Sequence, residues 1–407
     1  MSSADPLCIA PMRIAVVTET YPPEINGVAN TMLQLVTGLS GCGHRVLLVR
    51  PRQATDRHGR VPPGQFLVPG LPIPGYRGLR FGLPVYWRLR NLWHRLRPDV
   101  VYVATQGPLG HAALNAARRG SIPVVTGFHT QFHQYSRHYG LGLLTGPIVT
   151  TLKSFHNRSD ATLVPTAALR AQLNDAGFHN VHVFSRGVDT ALFDPARRSA
   201  ALRRAWGCSP EDLVALYVGR IAAEKNIHVA LACMEALAAR FDNLRCVLVG
   251  DGPELGRLAR NHPGCRFVGA KVGEDLAAHY ASGDLFLFPS LTETFGNVVT
   301  EAMASGLVVN AFDYAAAHEH IRHGSNGLLA PFGNDDAFIA GVVAAVEQPT
   351  LLERIRHAAR RTAETLSWSV VIEGLEELLC ELRRRRRDQE VGRPVDAVGH
   401  ATSGNGV

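Results

Sequence analysis

The sequence predicts an α/β protein with two doubly wound domains, each built on a parallel sheet. Short apolar runs rich in Val, Ile and Leu alternate with helical patterns, as expected for strands that are buried on both faces. The alternation breaks around residues 185–210, in a polar stretch rich in Ala and Arg, and then restarts. With 407 residues, of which 46% are hydrophobic, the chain can bury two cores.

The first series of elements defines a predicted N-terminal domain over residues 1–190. Its strands are short, apolar and bounded by turn residues, and its helices carry apolar residues at helical spacing. The predicted strands are Arg13–Thr18, Arg45–Val49, Val100–Ala104, Val124–Thr126 and Ala161–Val164, and the predicted helices are about Val28–Ser40, Gly110–Arg119 and Ala167–Ala176.

The second series defines a predicted C-terminal domain over residues 191–366, with the same alternation of strands and helices. The carboxyl ends of the strands in two such sheets can face a shared ligand cleft. The predicted strands are Val214–Val218, Arg245–Val249, Arg266–Val268, Leu285–Phe288, Val308–Ala311 and Gly327–Leu329, and the predicted helices lie near 226–241, 274–281 and 296–305.

A last helix is predicted over residues 367–387, and we expect it to pack back towards the N-terminal domain. It ends in five consecutive arginines at 383–387. Residues 388–407 are polar and Gly-rich, and we expect them to be disordered. The apolar face of the helix carries Val370, Val371, Leu375, Leu378, Leu379 and Leu382.

The composition excludes several classes of protein. The net charge is +7 and the pI is near 9.2, but no nucleic-acid recognition motif accompanies the basic charge. Seven scattered cysteines without a C-x-x-C pair predict neither a disulfide framework nor a metal site. No apolar run approaches the roughly 18 residues of a spanning helix, and no signal peptide is visible. We therefore expect a cytoplasmic protein that is soluble or lies on a membrane surface.

A glycine-rich turn follows the predicted strand that ends at Val249. Its glycines stand at positions 250, 252 and 256, whereas the dinucleotide-binding fingerprint requires the third glycine one position earlier. No P-loop pattern occurs elsewhere in the chain. We therefore interpret the segment as a tight strand-to-helix turn, and we exclude nicotinamide chemistry and P-loop ATP hydrolysis.

Two cations, Arg220 and Lys225, follow the strand that ends at Val218, in a loop that leads into a helix. Such a loop can direct two positive charges and helical N–H groups at one anion. A diphosphate is the ligand that fits this arrangement, although a solvated surface pair is the commoner meaning of the spacing alone.

Two carboxylates, Glu293 and Glu301, lie eight residues apart after the strand that ends at Phe288. If Phe295 or Gly296 begins a helix, Glu301 lies in its second turn and Glu293 in the preceding loop. Both can then face one ligand, while loop N–H groups bind phosphate. An ionised carboxylate accepts hydrogen bonds from vicinal hydroxyls of a sugar or a ribose. The structural alternative is a surface helix with an acidic N-terminus.

In combination these segments resemble glycosyltransferase family 4, whose members are retaining enzymes of the GT-B fold. The resemblance rests on the glutamate pair, on Glu-Ala-Met-Ala-Ser-Gly from Glu301, and on Gly-Arg-x4-Lys-Asn from Gly219. It includes residues 20–28 and 127–130 and extends over about residues 12–380. It implies two Rossmann-like domains facing across a cleft, and the pattern looks most like bacterial mannosyl-, glucuronosyl- and sulfoquinovosyl-type transferases that act on lipids.

The resemblance implies a role for each matching side chain. Arg220 and Lys225 would hold the donor diphosphate, and Glu301 would bind the nucleotide ribose. Glu293 would contact hydroxyls of the donor sugar, and His129 would lie beside that sugar and the reacting centre. The catalytic candidates are therefore Glu293, His129, Arg220 and Lys225.

Further donor contacts are implied for backbone groups. Gly27 would let its loop approach the phosphate closely, and the loop that contains Lys271 would meet the base. The backbone of one continuous segment would hold sugar and phosphate, namely Phe295, Gly296, Asn297, Val298 and Val299.

The implied mechanism requires no metal ion and no other cofactor. Negative charge develops on the leaving diphosphate, where fixed cations and N–H dipoles stabilise it. The family is considered to use attack by the acceptor on the same face, with the departing phosphate as base. Glu293 and Glu301 are therefore not interpreted as the acid and nucleophile of a hydrolase.

One segment departs from the family pattern. Residues 313–321 carry alanines at 315–317, where many members have a glycine pair before Glu-Ile. Because alanine disfavours a positive φ, we expect this loop to take a different shape, so the donor sugar cannot be assigned by analogy.

Residues 50–97 contain ten arginines and one acid, Asp56. From residue 80 to 97, arginines and aromatic residues stand at helical spacing, a composition suited to the headgroup layer of an anionic bilayer. The alternative is a helix packed on its own sheet with its arginines in solvent. The residues predicted to contact a membrane are Arg80, Trp87, Arg88, Trp93 and Arg95.

The function predicted from these features is hexose transfer from a UDP- or GDP-sugar to a lipid acceptor, with diacylglycerol as the leading candidate. The predicted location is the inner face of the cytoplasmic membrane. One alternative is the same chemistry on a soluble or polyprenyl-linked saccharide. A sugar-nucleotide epimerase would share the architecture but would turn over donor without acceptor. The complete set of Arg220, Lys225, Glu293 and Glu301 argues against a non-catalytic binder.

Overall fold

Two parallel sheets, of seven and six strands, organise the chain in the computed structural model. The structure describes residues 10–24, 26–54, 56, 61–72, 80–129, 145–293 and 295–391. Helices cover both faces of each sheet, so the predicted α/β class with two doubly wound sheets is confirmed. Within the described ranges, every helix is too short or too polar to span a bilayer.

The N-terminal sheet includes two short strands that the sequence patterns do not indicate, and a separate antiparallel pair adds two more. Its strands are β1 (Arg13–Val17), β2 (Arg45–Pro51), β3 (Gln65–Val68), β6 (Val100–Val103), β7 (Val124–Gly127), β8 (Ala161–Val164) and β9 (Val181–Val183), and a separate antiparallel pair is formed by β4 (Gly70–Pro72) and β5 (Arg80–Gly82). The helices are α1 (Gly27–Gly41), α2 (Tyr86–Leu96), α3 (Pro108–Arg119), α4 (Thr145–His156) and α5 (Ala167–Asp175).

The C-terminal sheet contains the six predicted strands, each within one residue of its predicted bounds. They are β10 (Leu213–Val218), β11 (Leu244–Val249), β12 (Cys265–Phe267), β13 (Leu285–Phe288), β14 (Val308–Phe312) and β15 (Leu328–Ala330). The helices are α6 (Ala200–Ala205), α7 (Ile227–Ala238), α8 (Leu255–Asn261), α9 (Gly273–Ala281), α10 (Asn297–Ala304), α11 (Ala315–His320), α12 (Asp335–Val346) and α13 (Pro349–Glu364).

The strand order of each sheet reverses at the first strand of its series, β1 in one sheet and β10 in the other. β1 pairs with β2 on one side and β6 on the other, and β10 pairs with β11 and β13. Ligands of open parallel sheets bind outside the carboxyl end of the strands at such a switch point. The loops after β1 and β10 carry Gly27, Arg220 and Lys225, so the topology places these residues at the two switch points.

The C-terminal helix α14 (Trp368–Val391) packs against the N-terminal sheet rather than the C-terminal one. Its Ile372 is buried in the same apolar cluster as residues of β1 and α1. A Cβ on Gly38 would lie 2.6 Å from Ile372 Cγ1, so the glycine permits the close approach of α14 to α1. His44 Nε2 lies 2.6 Å from Glu376 Oε1 at the same interface. The helix extends four residues beyond the predicted end, and residues 392–407 of the predicted disordered tail lie outside the described residues.

The segment from 80 to 97 is not one amphipathic helix, which corrects two predicted membrane residues. Arg80 belongs to β5, and α2 begins only at Tyr86. Trp93 is 2% exposed and packs in the core beside Leu89. The apolar face of α2 therefore covers its own sheet, whereas Trp87, Arg88 and Arg95 are exposed on the other side.

Candidate active site

A cleft of about 560 Å³ lies between the two switch points. The loop after β1 and the start of α1 form one wall, and the loops after β10 and β13 form the other. Its lining residues are Glu19, Thr20, Glu24, Asn26, Gly27, Val28, Arg80, Thr105, Arg186, Gly219, Arg220, Lys225, Phe288, Glu293, Phe295, Gly296, Asn297 and Val298.

The N-terminus of α1 forms one anion-binding element of the cleft. The Asn26 side chain caps the helix by accepting the Ala29 N–H at 2.8 Å, and it donates to Thr20 Oγ1 at 2.8 Å. Gly27 is the first helical residue, and a Cβ there would lie 3.3 Å from Arg186 Nη1. The glycine therefore keeps the positive end of the helix dipole open to a ligand.

Three of the predicted catalytic residues meet in the opposite wall. Lys225 Nζ donates to Glu293 Oε1 at 2.5 Å and to the Thr292 carbonyl at 3.1 Å. Arg220 Nη1 donates to Glu224 Oε1 at 3.0 Å, and its side chain is 59% exposed. Lys225 and Arg220 thus each have a carboxylate partner.

Glu301 lies beneath this wall and does not line the cleft. Gly296 caps α10 with φ +95°, so Glu301 falls in the second turn. Tyr280 Oη donates to Glu301 Oε2 at 3.0 Å. Burial raises the pKa of Glu301 to about 7, an effect that the Tyr280 hydrogen bond only partly offsets.

His129 also lies behind the cleft lining. Its Nε2 is 3.1 Å from Tyr102 Oη, and its Nδ1 is buried without a hydrogen-bond partner in the described part of the chain. Burial, and then the positive charge of Arg186, lower the pKa of His129 to about 3. The imidazole is therefore neutral at physiological pH and can act as a hydrogen-bonding group but not as a cation.

Two further predicted donor residues lie outside the cleft lining. Lys271 Nζ lies 3.3 Å from Asp275 Oδ2, and Val299 is 1% exposed in the core. The loop before Lys271 is held by a hydrogen bond from Gly250 N to the Gly269 carbonyl, at 2.9 Å. Its contact with a base remains a prediction. Thr130 and Thr294 of the family patterns lie outside the described residues.

The alanine-rich loop corrects an expectation. Ala315 adopts φ +52°, the left-handed conformation that its side chain was expected to prevent. Tertiary contacts hold it there, because Tyr314 Oη donates to the Glu293 carbonyl at 3.0 Å and Ala316 N donates to the Phe295 carbonyl at 2.8 Å. The loop is therefore tied directly to the segment that carries Glu293.

Three charged residues of the cleft escape the sequence patterns. Glu24 accepts a hydrogen bond from Thr20 Oγ1 at 2.5 Å. It lies within segment 20–28 of the family resemblance, so an inspection of the carboxylates in that segment could have identified Glu24 as a site residue. Burial raises the pKa of Glu19 to about 7, although Glu19 Oε1 accepts the Leu109 N–H at 3.2 Å. No local sequence pattern identifies Arg186 as a site residue, because it lies in the polar stretch between the two series of strands and helices.

Across the described ranges, no group of three or more His, Cys, Asp and Glu side chains is placed to hold a metal ion. The expectation that the chemistry requires no metal remains a prediction.

Comparison with known proteins assigns the chain to a family. The model of Glycosyltransferase Family 4 matches residues 25–192, and that of Glycosyl transferases group 1 matches residues 212–348. A GDP-mannose-dependent alpha-mannosyltransferase of Mycobacterium tuberculosis is 34% identical over 93% of this chain and 99% of the relative. The chain belongs to glycosyltransferase family 4.

Other relatives of this family 4 hexosyltransferase extend the comparison. An alpha-monoglucosyldiacylglycerol synthase of Acholeplasma laidlawii is 25% identical over 91% of this chain and 97% of the relative. A solved sucrose-phosphate synthase from Thermosynechococcus elongatus superposes with a TM-score of 0.75 at 17% identity, covering 92% of this chain and 100% of that one. The predicted resemblance and the GT-B fold are thus confirmed.

Proposed function

We propose that this enzyme transfers a mannosyl residue from GDP-mannose to a lipid acceptor, with retention of the anomeric configuration. The cleft carries the proposal, because two helix N-termini and four cations surround space for a diphosphate beside Glu293. GDP-mannose is favoured over a UDP-sugar by the relative at 34% identity, whose name specifies that donor.

Diacylglycerol or a glycosylated diacylglycerol is the acceptor class that we propose. The diacylglycerol named for the Acholeplasma laidlawii relative supports a glycerolipid. On the N-terminal wall, Glu19 and Glu24 offer carboxylate oxygens that can accept hydrogen bonds from the hydroxyls of an acceptor. These two carboxylates belong to the N-terminal wall, whereas Arg220 and Lys225 belong to the C-terminal wall, and we propose that the acceptor binds near the former.

The proposed reaction breaks the bond between the sugar C1 and the diphosphate oxygen, and its electron pair stays on phosphate. The acceptor oxygen forms the new bond on the same face, and its proton passes to the departing phosphate. Lys225 and Arg220 would exchange their carboxylate partners for phosphate oxygens as the donor binds. Glu293, released from Lys225, would then accept hydrogen bonds from hydroxyls of the sugar.

A direct assay tests donor and acceptor together. Purified protein is mixed with phosphatidylglycerol vesicles that carry diacylglycerol or glucosyl-diacylglycerol, and with GDP-mannose, UDP-glucose or UDP-glucuronic acid. We expect GDP release with a mannosylated lipid in the mass spectrum, and an α-anomer by NMR. Turnover without acceptor would indicate an epimerase, and turnover only with a free saccharide would refute the lipid acceptor. Glu293→Gln is the matched variant, expected to bind GDP but not to transfer.

We further propose that the enzyme works on the anionic inner face of the cytoplasmic membrane. A groove of about 570 Å³ lies at the opposite end of the N-terminal sheet, where seven arginines from four separate segments converge around one carboxylate, Asp99. The exposed Trp87, 67% accessible, lies on the same helix as one of these arginines, Arg90, and another, Arg97, caps the C-terminus of that helix. The arginines are Arg13, Arg90, Arg97, Arg119, Arg383, Arg386 and Arg387.

Vesicle sedimentation tests this docking surface. The triple variant R383Q/R386Q/R387Q should lose most of its binding to phosphatidylglycerol vesicles, since each basic residue contributes roughly 1 kcal/mol near such a surface. Arg257→Gln removes an exposed arginine of the C-terminal half and is the charge control. Equal binding of the triple variant and the control would refute the groove as the membrane contact.

A further inference from the structure

Arg186 is a buried cation without a counter-ion in the described part of the chain. It lines the cleft, its side chain is 5% exposed, and its Nη2 has no hydrogen-bond partner. No described carboxylate lies within 4.0 Å of its guanidinium. Arg203 is equally buried, but it pairs with Asp284 Oδ2 at 3.0 Å. Glu293 exerts a favourable electrostatic effect on Arg186, but its carboxylate is already paired with Lys225 at 2.5 Å. Among the described residues, Arg186 therefore has no carboxylate of its own.

The guanidinium lies between the N-termini of two helices. Arg186 Nη1 is 3.5 Å from Asn297 Oδ1, at the first residue of α10, and 3.3 Å from the position of a Cβ on Gly27, at the first residue of α1. Its guanidinium carbon is 5.9 Å from the centre of the Phe295 ring. Two positive helix ends and a fixed cation in a poorly solvated site attract an anion strongly.

The burial of this charge is unfavourable in the absence of a ligand. Burial lowers the pKa of Arg186 to about 10, so the group still carries its charge at neutral pH. A buried charge is ordinarily paired. A buried charge without a partner is typical of sites at which a bound ligand supplies that partner.

We propose that Arg186 is a catalytic residue that binds the diphosphate of the donor and stabilises the charge it acquires as the leaving group. The inference rests on the proposed function in one respect, that the donor is a nucleoside diphosphate sugar. As the sugar C1–O bond breaks, its electron pair moves onto the phosphate oxygen, and Arg186 N–H groups donate to the unbridged oxygens.

The position of Arg186 in the chain also links the ligand to both halves of the enzyme. Two residues later, Val188 N donates to the Leu366 carbonyl at 2.8 Å, where the two segments that connect the sheets run side by side. A diphosphate held by Arg186, α1 and α10 therefore contacts the N-terminal wall, the connection and the C-terminal wall at once.

The test compares Arg186→Gln and Arg186→Lys with Arg203→Gln as the matched buried arginine. Calorimetric titration measures the affinities for GDP and guanosine, and kinetics measure kcat for mannosyl transfer. We expect Arg186→Gln to weaken GDP binding by about 10–100-fold and to lower kcat by at least as much, with guanosine affinity unchanged. Arg186→Lys should recover part of both losses, because it keeps the charge.

Thermal stability without ligand separates this role from a structural one. Removal of an unpaired charge should leave the Tm of Arg186→Gln equal to or above that of the parent, whereas Arg203→Gln should lower the Tm and retain GDP affinity. Parental GDP affinity and kcat in Arg186→Gln would overturn the proposal, as would equal losses for GDP and guanosine with a lower Tm. If the parent binds neither GDP nor UDP, the proposed function fails and this inference fails with it.

Discussion

Replacing Glu301 with Gln should remove a pH dependence that the buried carboxylate imposes on folding. Burial raises the pKa of Glu301 from 4.5 to about 7, so the folded enzyme binds a proton that the unfolded chain releases. The favourable contribution of the protonated group is complete below pH 4.5 and is lost as pH rises through 7. At 1.36 kcal/mol for each unit of the pKa shift, the ionisation of Glu301 lowers the free energy of unfolding at high pH by about 3 kcal/mol.

The assay measures thermal unfolding of the parent and of Glu301→Gln at pH 5.5 and 8.5. Gln preserves the shape and can still accept the Tyr280 hydrogen bond. The variant should be more stable than the parent by about 1 kcal/mol at pH 5.5 and by about 3 kcal/mol at pH 8.5, because most of the loss develops between these two values. The difference at pH 8.5 corresponds to about 6–12 °C for a domain of 150–250 residues.

Donor binding should show the opposite dependence on pH. If Glu301 binds the nucleotide ribose, as the family resemblance implies, its ionised form would accept hydrogen bonds from both hydroxyls, so GDP affinity of the parent should increase as pH rises through 7. Glu301→Gln should bind GDP more weakly and without this dependence. Tyr280→Phe should move the transition to higher pH, since the lost hydrogen bond favours the ionised form. Identical pH profiles of stability in parent and Glu301→Gln would refute the reasoning.

Three further substitutions test the walls of the cleft. Lys225→Met removes the partner of Glu293 and a phosphate contact, so kcat/KM should fall by about 10²–10³-fold; parental kinetics would contradict the donor site. In Gly107→Ala the new Cβ would lie 2.0 Å from Glu19 Oε2, so the Glu19 side chain must move. The acceptor KM should therefore rise by about tenfold while GDP affinity stays unchanged. An unchanged acceptor KM would exclude Glu19 from the acceptor side. Ala315→Gly relieves the left-handed φ of +52° and should raise the unfolding free energy by about 0.5–1 kcal/mol in urea titrations; a loss of stability would show that the contacts of the methyl group dominate.

The patterns that the chain repeats locally predict much of the fold. Apolar runs of strand length predict β1, β10 and β13 to within a few residues, because a strand buried on both faces must be apolar throughout. The three-residue strands β5 and β9 are too short to leave a pattern, and only their neighbours in space define them. Surface amphipathic helices such as α13 are not recognised beside the clearer patterns of the buried strands.

The sequence by itself determined where the residues of the proposed donor wall lie. Arg220, Lys225 and Glu293 stand in short loops after parallel strands, and strand topology requires such loops to meet at one edge. Their identity and spacing indicated a diphosphate and a sugar before any contact was known. A local pattern suffices here because each residue is positioned by the strand next to it.

Only the tertiary structure decided which charges are paired and which faces are buried. An amphipathic helix has the same pattern whether it covers a sheet or a membrane, so only packing showed that Trp93 belongs to the core. Contacts with the Glu293 segment overrode the local preference of Ala315. Arg186 and Glu19 enter the cleft from segments far apart in the chain. Arg186 has no counter-ion within the described residues, and this depends on distances in three dimensions that a sequence pattern does not contain.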